Sequence, residues 1–197
     1  MTTSSQIVPD ADRRKFLVRT VQGLTIVGLA FTAVPFIESW LPSESARALG
    51  GPISVDVDHI ASGQMIIVNW RRKPIYIVRR TEQMLALLEN HNDLLKDPAS
   101  VHSQQPTYAA NRYRSIRPAL FVTIGICTHL GCLPKARFDP DSSAMGSRWP
   151  GGFFCPCHGS RFDLAGRVFD GSPASVNLVI PPYELDGNRL IIGVGES

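Results

Sequence analysis

Cysteine is confined to one short stretch. The chain of 197 residues has four, none before Cys127 and none after Cys157. Disulfides of a secreted framework would be more scattered, so the stretch reads as a site. Charge is also sparse: 20 Lys and Arg against 17 Asp and Glu leave a net +3, with 19% charged residues overall. The small excess is spread along the chain. With no long Lys/Arg block and no glycine-rich phosphate loop, nothing points to nucleic acid or nucleotide. No segment repeats, which excludes a solenoid. Hydrophobic residues are plentiful at 44%, alongside 16 Gly and 15 Pro, enough for a core in a turn-rich body. The length suits one domain with an appendage.

The appendage is N-terminal. From Thr20 to Ile37 there is no charge, and at ~1.5 Å rise per residue this run spans roughly 27 Å, close to a bilayer core. Arg13, Arg14, Lys15 and Arg19 precede it and Glu38 follows, which places residues 1–19 in the cytoplasm and the rest outside. The order Asp12-Arg13-Arg14-Lys15-Phe16-Leu17 resembles a twin-arginine export signal, and Ala46-Arg47-Ala48 a small-residue cleavage site. The apolar run exceeds the ~7–15 residues of a cleavable core, so a retained anchor over 20–38 is predicted. Residues 39–52, small and polar and ending near Gly50-Gly51, read as a flexible hinge.

From residue 53 to 197 the signals are strands and turns. Ile53–Val57 alternates with period two, and Met65–Trp70 and Ile75–Val78 flank a predicted Arg71–Pro74 turn. Thr81 caps a predicted helix over Glu82–Asp93. Further strands are predicted at Leu120–Ile124, Asn177–Ile180, Tyr183–Leu185 and Arg189–Ile192, with Asp186-Gly187-Asn188 as a hairpin turn between the last two. The fold class is mostly β and antiparallel.

Two loops carry the chemistry, Cys127-Thr-His129-Leu130-Gly-Cys132 and Cys155-Pro-Cys157-His158-Gly-Ser160. Each offers one Cys and one His as ligands, Cys127 with His129 and Cys155 with His158, and each holds a further Cys. Two thiolates and two imidazoles suit tetrahedral zinc, or a [2Fe–2S] cluster with both Cys on one iron and both His on the other. Together the loops closely resemble those of the Rieske iron–sulfur protein of the cytochrome bc complex, ubiquinol–cytochrome c reductase. The likeness covers the signal, anchor, hinge, β domain and both loops.

That resemblance implies an antiparallel β-sandwich with an inserted cluster-binding subdomain at about 125–175, and one N-terminal transmembrane helix. It implies one [2Fe–2S] cluster held by Cys127, Cys155, His129 and His158, with Cys132 bridged to Cys157. Leu130, Ser160, Phe162 and Pro173 would stand around it, Pro173 in a covering loop from Gly171 to Ala174. His158 would take the proton of ubiquinol as the cluster takes its electron, which then passes to a c-type cytochrome. Replacing two thiolates by neutral imidazoles sets such clusters at about −150 to +300 mV. The implied setting is a dimeric oxidoreductase and translocase of the respiratory chain, with cytochrome b, in a bacterial inner membrane with the C-terminal domain in the periplasm. The alternative is the small Rieske subunit of a periplasmic oxidase such as arsenite oxidase.

Two residues depart from that pattern: Phe162 stands where many members carry tyrosine, and Ser175 where a second proline is common. Elsewhere the reading is plain. His59, His91 and His102 are predicted as surface or loop residues, and Arg71, Arg72, Lys73, Arg79 and Arg80 as a solvated hairpin. The segment from Asp139 to Gly146, within the insertion 135–150, carries no evident chemistry.

Overall fold

The computed structural model describes residues 10–41, 43, 50–140, 145 and 148–195. It divides into two units, Met1–Arg47 and Ala48–Ser197. Half of the predicted hinge, residues 42 and 44–49, lies outside the described residues, as do 1–9, 141–144, 146–147 and 196–197.

The first unit contains helix α1, Ala11–Glu38. It starts well before the predicted residue 20, because Asp10 caps it by accepting from Asp12 N at 3.0 Å and the basic flank propagates as helix. Its side chains are exposed and its apolar window has a mean hydropathy of 1.7, long and apolar enough to cross a membrane. Its threonines suit an apolar medium. Thr20, Thr25 and Thr32 each donate to the carbonyl four residues back, at 2.9, 2.8 and 3.1 Å, so no hydroxyl is left unpaired.

Among the described residues the second unit holds nine strands: β1 Ile53–Asp56, β2 Met65–Trp70, β3 Lys73–Arg79, β4 Leu120–Ile124, β5 Lys135–Arg137, β6 Gly152–Phe154, β7 Arg161–Asp163, β8 Tyr183–Asp186 and β9 Arg189–Ile192. They form three antiparallel sheets in the orders β1-β9-β8, β2-β3-β4 and β5-β6-β7. All three feed one core, in which Ile75, Ile77, Val122, Phe153, Phe162, Tyr183, Leu190 and Ile192 are essentially fully buried.

The β2–β3 turn is tighter than predicted. Arg71 and Arg72 alone make it, at φ 49° and 61°, while Lys73 pairs with Trp70 inside the ladder. Side chains rarely accept that backbone region. Arg71 gains contacts in return: its guanidinium sits 4.6 Å over the Trp70 ring, and its Nε donates to Gly50 O at 3.0 Å. Trp70 Nε1 donates to Gly51 O at 3.0 Å, so the end of the predicted hinge is pinned to this hairpin.

Two further elements are shorter than predicted. Helix α2 covers only Glu82–Leu87, capped by Thr81 Oγ1 on Met84 N at 3.1 Å, and a 3₁₀ turn follows at Asn92–Leu94. Asn90, Asn92 and Asp93 are poor helix formers, and the His91 side chain is drawn inward, away from any helical continuation. Asn177–Ile180 forms no ladder. Its groups pair singly, Leu178 N with Gly166 O and Ile180 N with Gln104 O, because no one strand runs beside it.

Candidate metal centre

The first cysteine loop joins β4 to β5 and the second joins β6 to β7, so the sheet β5-β6-β7 and the end of β4 hold both. The two loops repeat one hydrogen-bond pattern. Cys127 N donates to Cys132 O and Gly131 N to Cys127 O; Cys155 N donates to Ser160 O and Gly159 N to Cys155 O, all at 2.7–3.0 Å. Gly131 and Gly159 sit at φ 84° and 80° with open space around a would-be Cβ, so conformation rather than room requires glycine. The first loop is held from below by Tyr76, whose hydroxyl donates to Pro134 O at 2.9 Å. Gly125 lies so close to the Tyr76 ring that a Cβ would stand 2.2 Å from it.

The four cysteines divide in two. Cys132 and Cys157 form a disulfide, Cα to Cα 6.6 Å, which ties the loops together. Cys127 and Cys155 are free and buried, 3% and 1% exposed. The sulfurs of Cys132, Cys155 and Cys157 lie within 4.8 Å of one another, but two of them are spent in the disulfide and make no three-thiolate site. Burial pushes the Cys127 thiol up; the His129 backbone N–H and the Ser160 hydroxyl bond to its sulfur and oppose that, while Cys155 adds to it.

The two imidazoles meet edge to face, ring centres 4.8 Å apart. His129 Nδ1 is buried and has no hydrogen-bond partner. A buried ring nitrogen without a partner costs free energy unless something is bound to it. His158, by contrast, is exposed. Two buried free thiols beside two imidazoles, one with an unpartnered nitrogen, are a donor set that fits a mixed sulfur–nitrogen metal centre.

Around these donors Ser160 is fully buried and accepts from Ala174 N at 3.1 Å, while Thr128 Oγ1 donates to Val176 O at 2.6 Å. Both bonds fasten the 171–176 segment over the loops. Leu130 is 70% exposed, beside Leu133 at 56%, and Pro173 is exposed. Phe162 is fully buried on β7, opposite Phe153 of β6.

Residues 55–184 match the family described as the Rieske [2Fe-2S] domain. The chain belongs to this family. Its cofactor is a [2Fe–2S] cluster. The chain is 48% identical over 184 residues to the ubiquinol–cytochrome c reductase iron–sulfur subunit of Allochromatium vinosum, covering 92% of this chain and 88% of that one. It is 37% identical over 193 residues to the subunit of the same name from Blastochloris viridis, covering 98% of each. Among solved structures, a chain of a hyperthermophilic respiratory complex III shares the fold, with TM-score 0.52 and 24% identity, covering 88% of this chain and 98% of that one.

Sequence reasoning missed a polar network beneath the second loop of the Rieske domain. Asp163, which ends β7, is fully buried. Its carboxylate accepts from Arg167 Nε at 2.7 Å, from the Ala165 and Arg167 amides at 2.9 and 2.7 Å, and from His91 Nε2 at 3.3 Å. Burial pushes this carboxyl up, but the Arg167 guanidinium and the His91 bond outweigh it and hold the group at about 2. Arg167 also donates to Leu88 O and Asn92 Oδ1, both at 2.9 Å.

His91 and Arg80 therefore correct the surface reading: they are 5% and 2% exposed, and His91 stacks on Phe169 with ring centres 5.9 Å apart. Arg80 donates to Pro118 O, Tyr113 O and Leu164 O, and burial lowers its guanidinium to about 9. Arg114, lowered by burial to about 10, donates to Leu178 O at 2.7 Å and to Ala165 O and Gly166 O. Arg79 is half-buried on Ile60 O at 3.0 Å. His59, His102, Arg71, Arg72 and Lys73 are exposed as predicted. Three buried arginines on backbone carbonyls make the 163–167 turn a rigid footing for the loop above. The Asp163–Arg167 pair is an i,i+4 spacing, but outside a helix that spacing gives no warning of contact.

The predicted insertion also has structure. Residues 135–137 are β5, and Trp149 is buried with Leu95 and Phe169, its Nε1 donating to Arg137 O at 3.1 Å.

Proposed function

We propose that this chain is the electron-transfer subunit of a quinol–cytochrome c reductase, placed between ubiquinol and a c-type cytochrome in a dimeric complex with cytochrome b. The observation that carries the reading is the donor set itself: two buried free thiols and two imidazoles in edge contact, with His129 Nδ1 buried and unpartnered. Nearly full-length identity of 48% to a ubiquinol–cytochrome c reductase subunit supports the assignment. Cys127 and Cys155 would hold one iron, His129 and His158 the other. Bound there, a [2Fe–2S] cluster with two neutral imidazoles supplies a one-electron carrier of raised potential.

The chain's own residues do the rest. His158, exposed, binds the quinol hydroxyl and takes its proton on the ring nitrogen left free, so electron and proton leave together. His129, largely enclosed, holds its place and stays out of that exchange. Leu130 and Leu133 offer the apolar surface against which a quinone ring can pack without water. The disulfide keeps the two loops joined through each redox cycle. The anchor α1, with Arg13, Arg14, Lys15 and Arg19 on its N-terminal side, would set residues 1–19 in the cytoplasm and the Rieske domain in the periplasm of a bacterial inner membrane. The Arg13-Arg14 pair would serve twin-arginine export of the folded domain. At the end of the predicted hinge, Gly50 and Gly51 accept from the β2–β3 hairpin through their carbonyls.

Purification of the full chain from membranes in mild detergent tests this directly. Cytochrome b and a c-type cytochrome should co-purify, and the reduced sample should give the low average g value of a nitrogen-ligated [2Fe–2S] centre. A molybdenum subunit in their place would assign the chain to a periplasmic oxidase instead.

Phe162 sets a second test. A tyrosine hydroxyl there would donate to a ligand sulfur, a bond that strengthens as the centre gains an electron. A differential bond of roughly 0.5–1.5 kcal/mol corresponds to about 20–65 mV for one electron. Phe162→Tyr should therefore raise the potential by tens of millivolts in protein-film voltammetry. A shift near zero or downward would show that this ring does not govern the sulfur's electrostatics.

A further inference from the structure

The first turns of α1 carry their cations mainly on one face. Ala11, Lys15, Val18 and Gln22 follow one another at spacings of four, three and four, with Arg14 and Arg19 on either side. At 3.6 residues per turn these six share one side of the helix, where they flank a single cleft. Arg13 falls on the opposite side. The side chains of Arg14 and Arg19 have no ion pair and no hydrogen bond among the described residues. Lys15 has one partner, Asp12 at 3.8 Å, and both side chains are largely exposed, so the pair is weak.

Gln22 differs from its polar neighbours in the apolar run. It lies inside the uncharged stretch that begins at Thr20, about 4.5 Å further along the axis than Arg19. Thr20, Thr25 and Thr32 satisfy their hydroxyls on the helix's own carbonyls. The Gln22 amide has no such bond among the described residues. In apolar surroundings an unmet amide is costly, so its partner has to come from outside the helix. That partner must meet three cations and, about one turn deeper, an amide donor. A glycerophospholipid with a net negative headgroup has both features. Its phosphate suits guanidinium and ammonium groups, and ester carbonyls lie just beneath it for the amide N–H.

We propose that this face of α1 binds one anionic glycerophospholipid of the bilayer, with the phosphate on Arg14, Lys15 and Arg19 and an ester carbonyl on the Gln22 amide. Side chains on a helix lean toward its N-terminus, which carries the Arg19 guanidinium back toward the level of Lys15. The nearby carboxylates are engaged elsewhere, Asp10 as the helix cap and Asp12 against Lys15. Val18, 47% exposed, gives the glycerol backbone an apolar contact between the cations and the amide. A free phosphate ion would leave Gln22 unmet, so the occupant is a lipid. The inference rests on α1 lying in a membrane, as proposed above.

The experiment uses the full chain in nanodiscs of phosphatidylcholine that carry spin-labelled phosphatidylglycerol or spin-labelled phosphatidylcholine. The motionally restricted fraction of each label gives its association with the protein, at low and at high salt. Wild type should favour phosphatidylglycerol. Arg19→Gln should lower that preference about fivefold at low salt, the worth of one basic residue near a charged membrane surface, and less at high salt. Arg13→Gln removes the same charge from the opposite face and should change the preference far less. Gln22→Leu removes a hydrogen bond and no charge, so phosphatidylglycerol association should fall about twofold or more at both salt concentrations. Equal losses in Arg13→Gln and Arg19→Gln overturn the inference, because they show undirected attraction to a basic flank. So does unaltered association in Gln22→Leu, and so does displacement of the lipid by inorganic phosphate at constant ionic strength. A chain that fails to enter nanodiscs would instead overturn the anchor reading, and the inference with it.

Discussion

Replacing His158 by alanine should abolish the cluster signal and lower quinol oxidation by at least about 100-fold, since even groups that merely support a metal ligand cost 10–100-fold when removed. The ring is exposed and one of only two imidazoles in the two loops, and, as the ligand proposed above, its loss would leave one iron a ligand short. Cys157, its neighbour in the chain, cannot replace it, because that sulfur is committed to the disulfide with Cys132. The domain itself should survive. His158 packs on the surface, and the core residues Cys127, Phe153 and Phe162 are untouched. Circular dichroism should therefore remain close to wild type while EPR and turnover are lost. A variant that keeps both signal and turnover would remove His158 from the ligand set.

Asp163→Asn should destabilise the domain by roughly 3–5 kcal/mol, the range for breaking a buried charge pair from one side. Arg167 is 1% exposed and would be left with a buried charge lacking its anion, and His91 would lose a carboxylate acceptor. The wild type should show the same interaction through pH. The folded-state pKa of Asp163 is about 2, below that of a free aspartate near 3.9, so its stabilisation is fully present above pH ~4 and lost as pH falls through about 2. The amount involved is on the order of 2 kcal/mol. Urea midpoints measured at pH 6 and at pH 3 should thus separate in the wild type more than in Asp163→Asn. Equal separation in both, or a variant as stable as wild type, would mean that the network under the second loop contributes little.

The two predictions differ in how far the sequence could anticipate them. The role proposed for His158 rests on a spacing of a few residues, because a metal loop must bring its donors together locally. The same holds for the uncharged run in α1, for Thr81 as a cap and for the Asp186-Gly187 turn, where Gly187 takes φ 58°. Each is written into neighbouring residues and survives folding unchanged. The pairing of Cys132 with Cys157 belongs between these cases. Family resemblance implies it, and the structure makes the bond across 25 residues.

Asp163 is of the other kind. His91 meets it from 72 residues away, and Arg80 reaches Leu164 across 84, so no local pattern marks either as buried. A charged residue is ordinarily read as solvated because burying it alone is costly; here carbonyls and a carboxylate supplied by distant segments remove the cost. The same packing cuts the α2 helix short at Leu87, since a longer helix would carry His91 away from Asp163. It also keeps Asn177–Ile180 out of any ladder and brings Lys96 onto the covering loop. The donors proposed for the metal centre can be picked out along the chain because their chemistry is local. The rigidity beneath and above them comes from tertiary contacts, because single buried charges become tolerable only when the whole fold has assembled their partners.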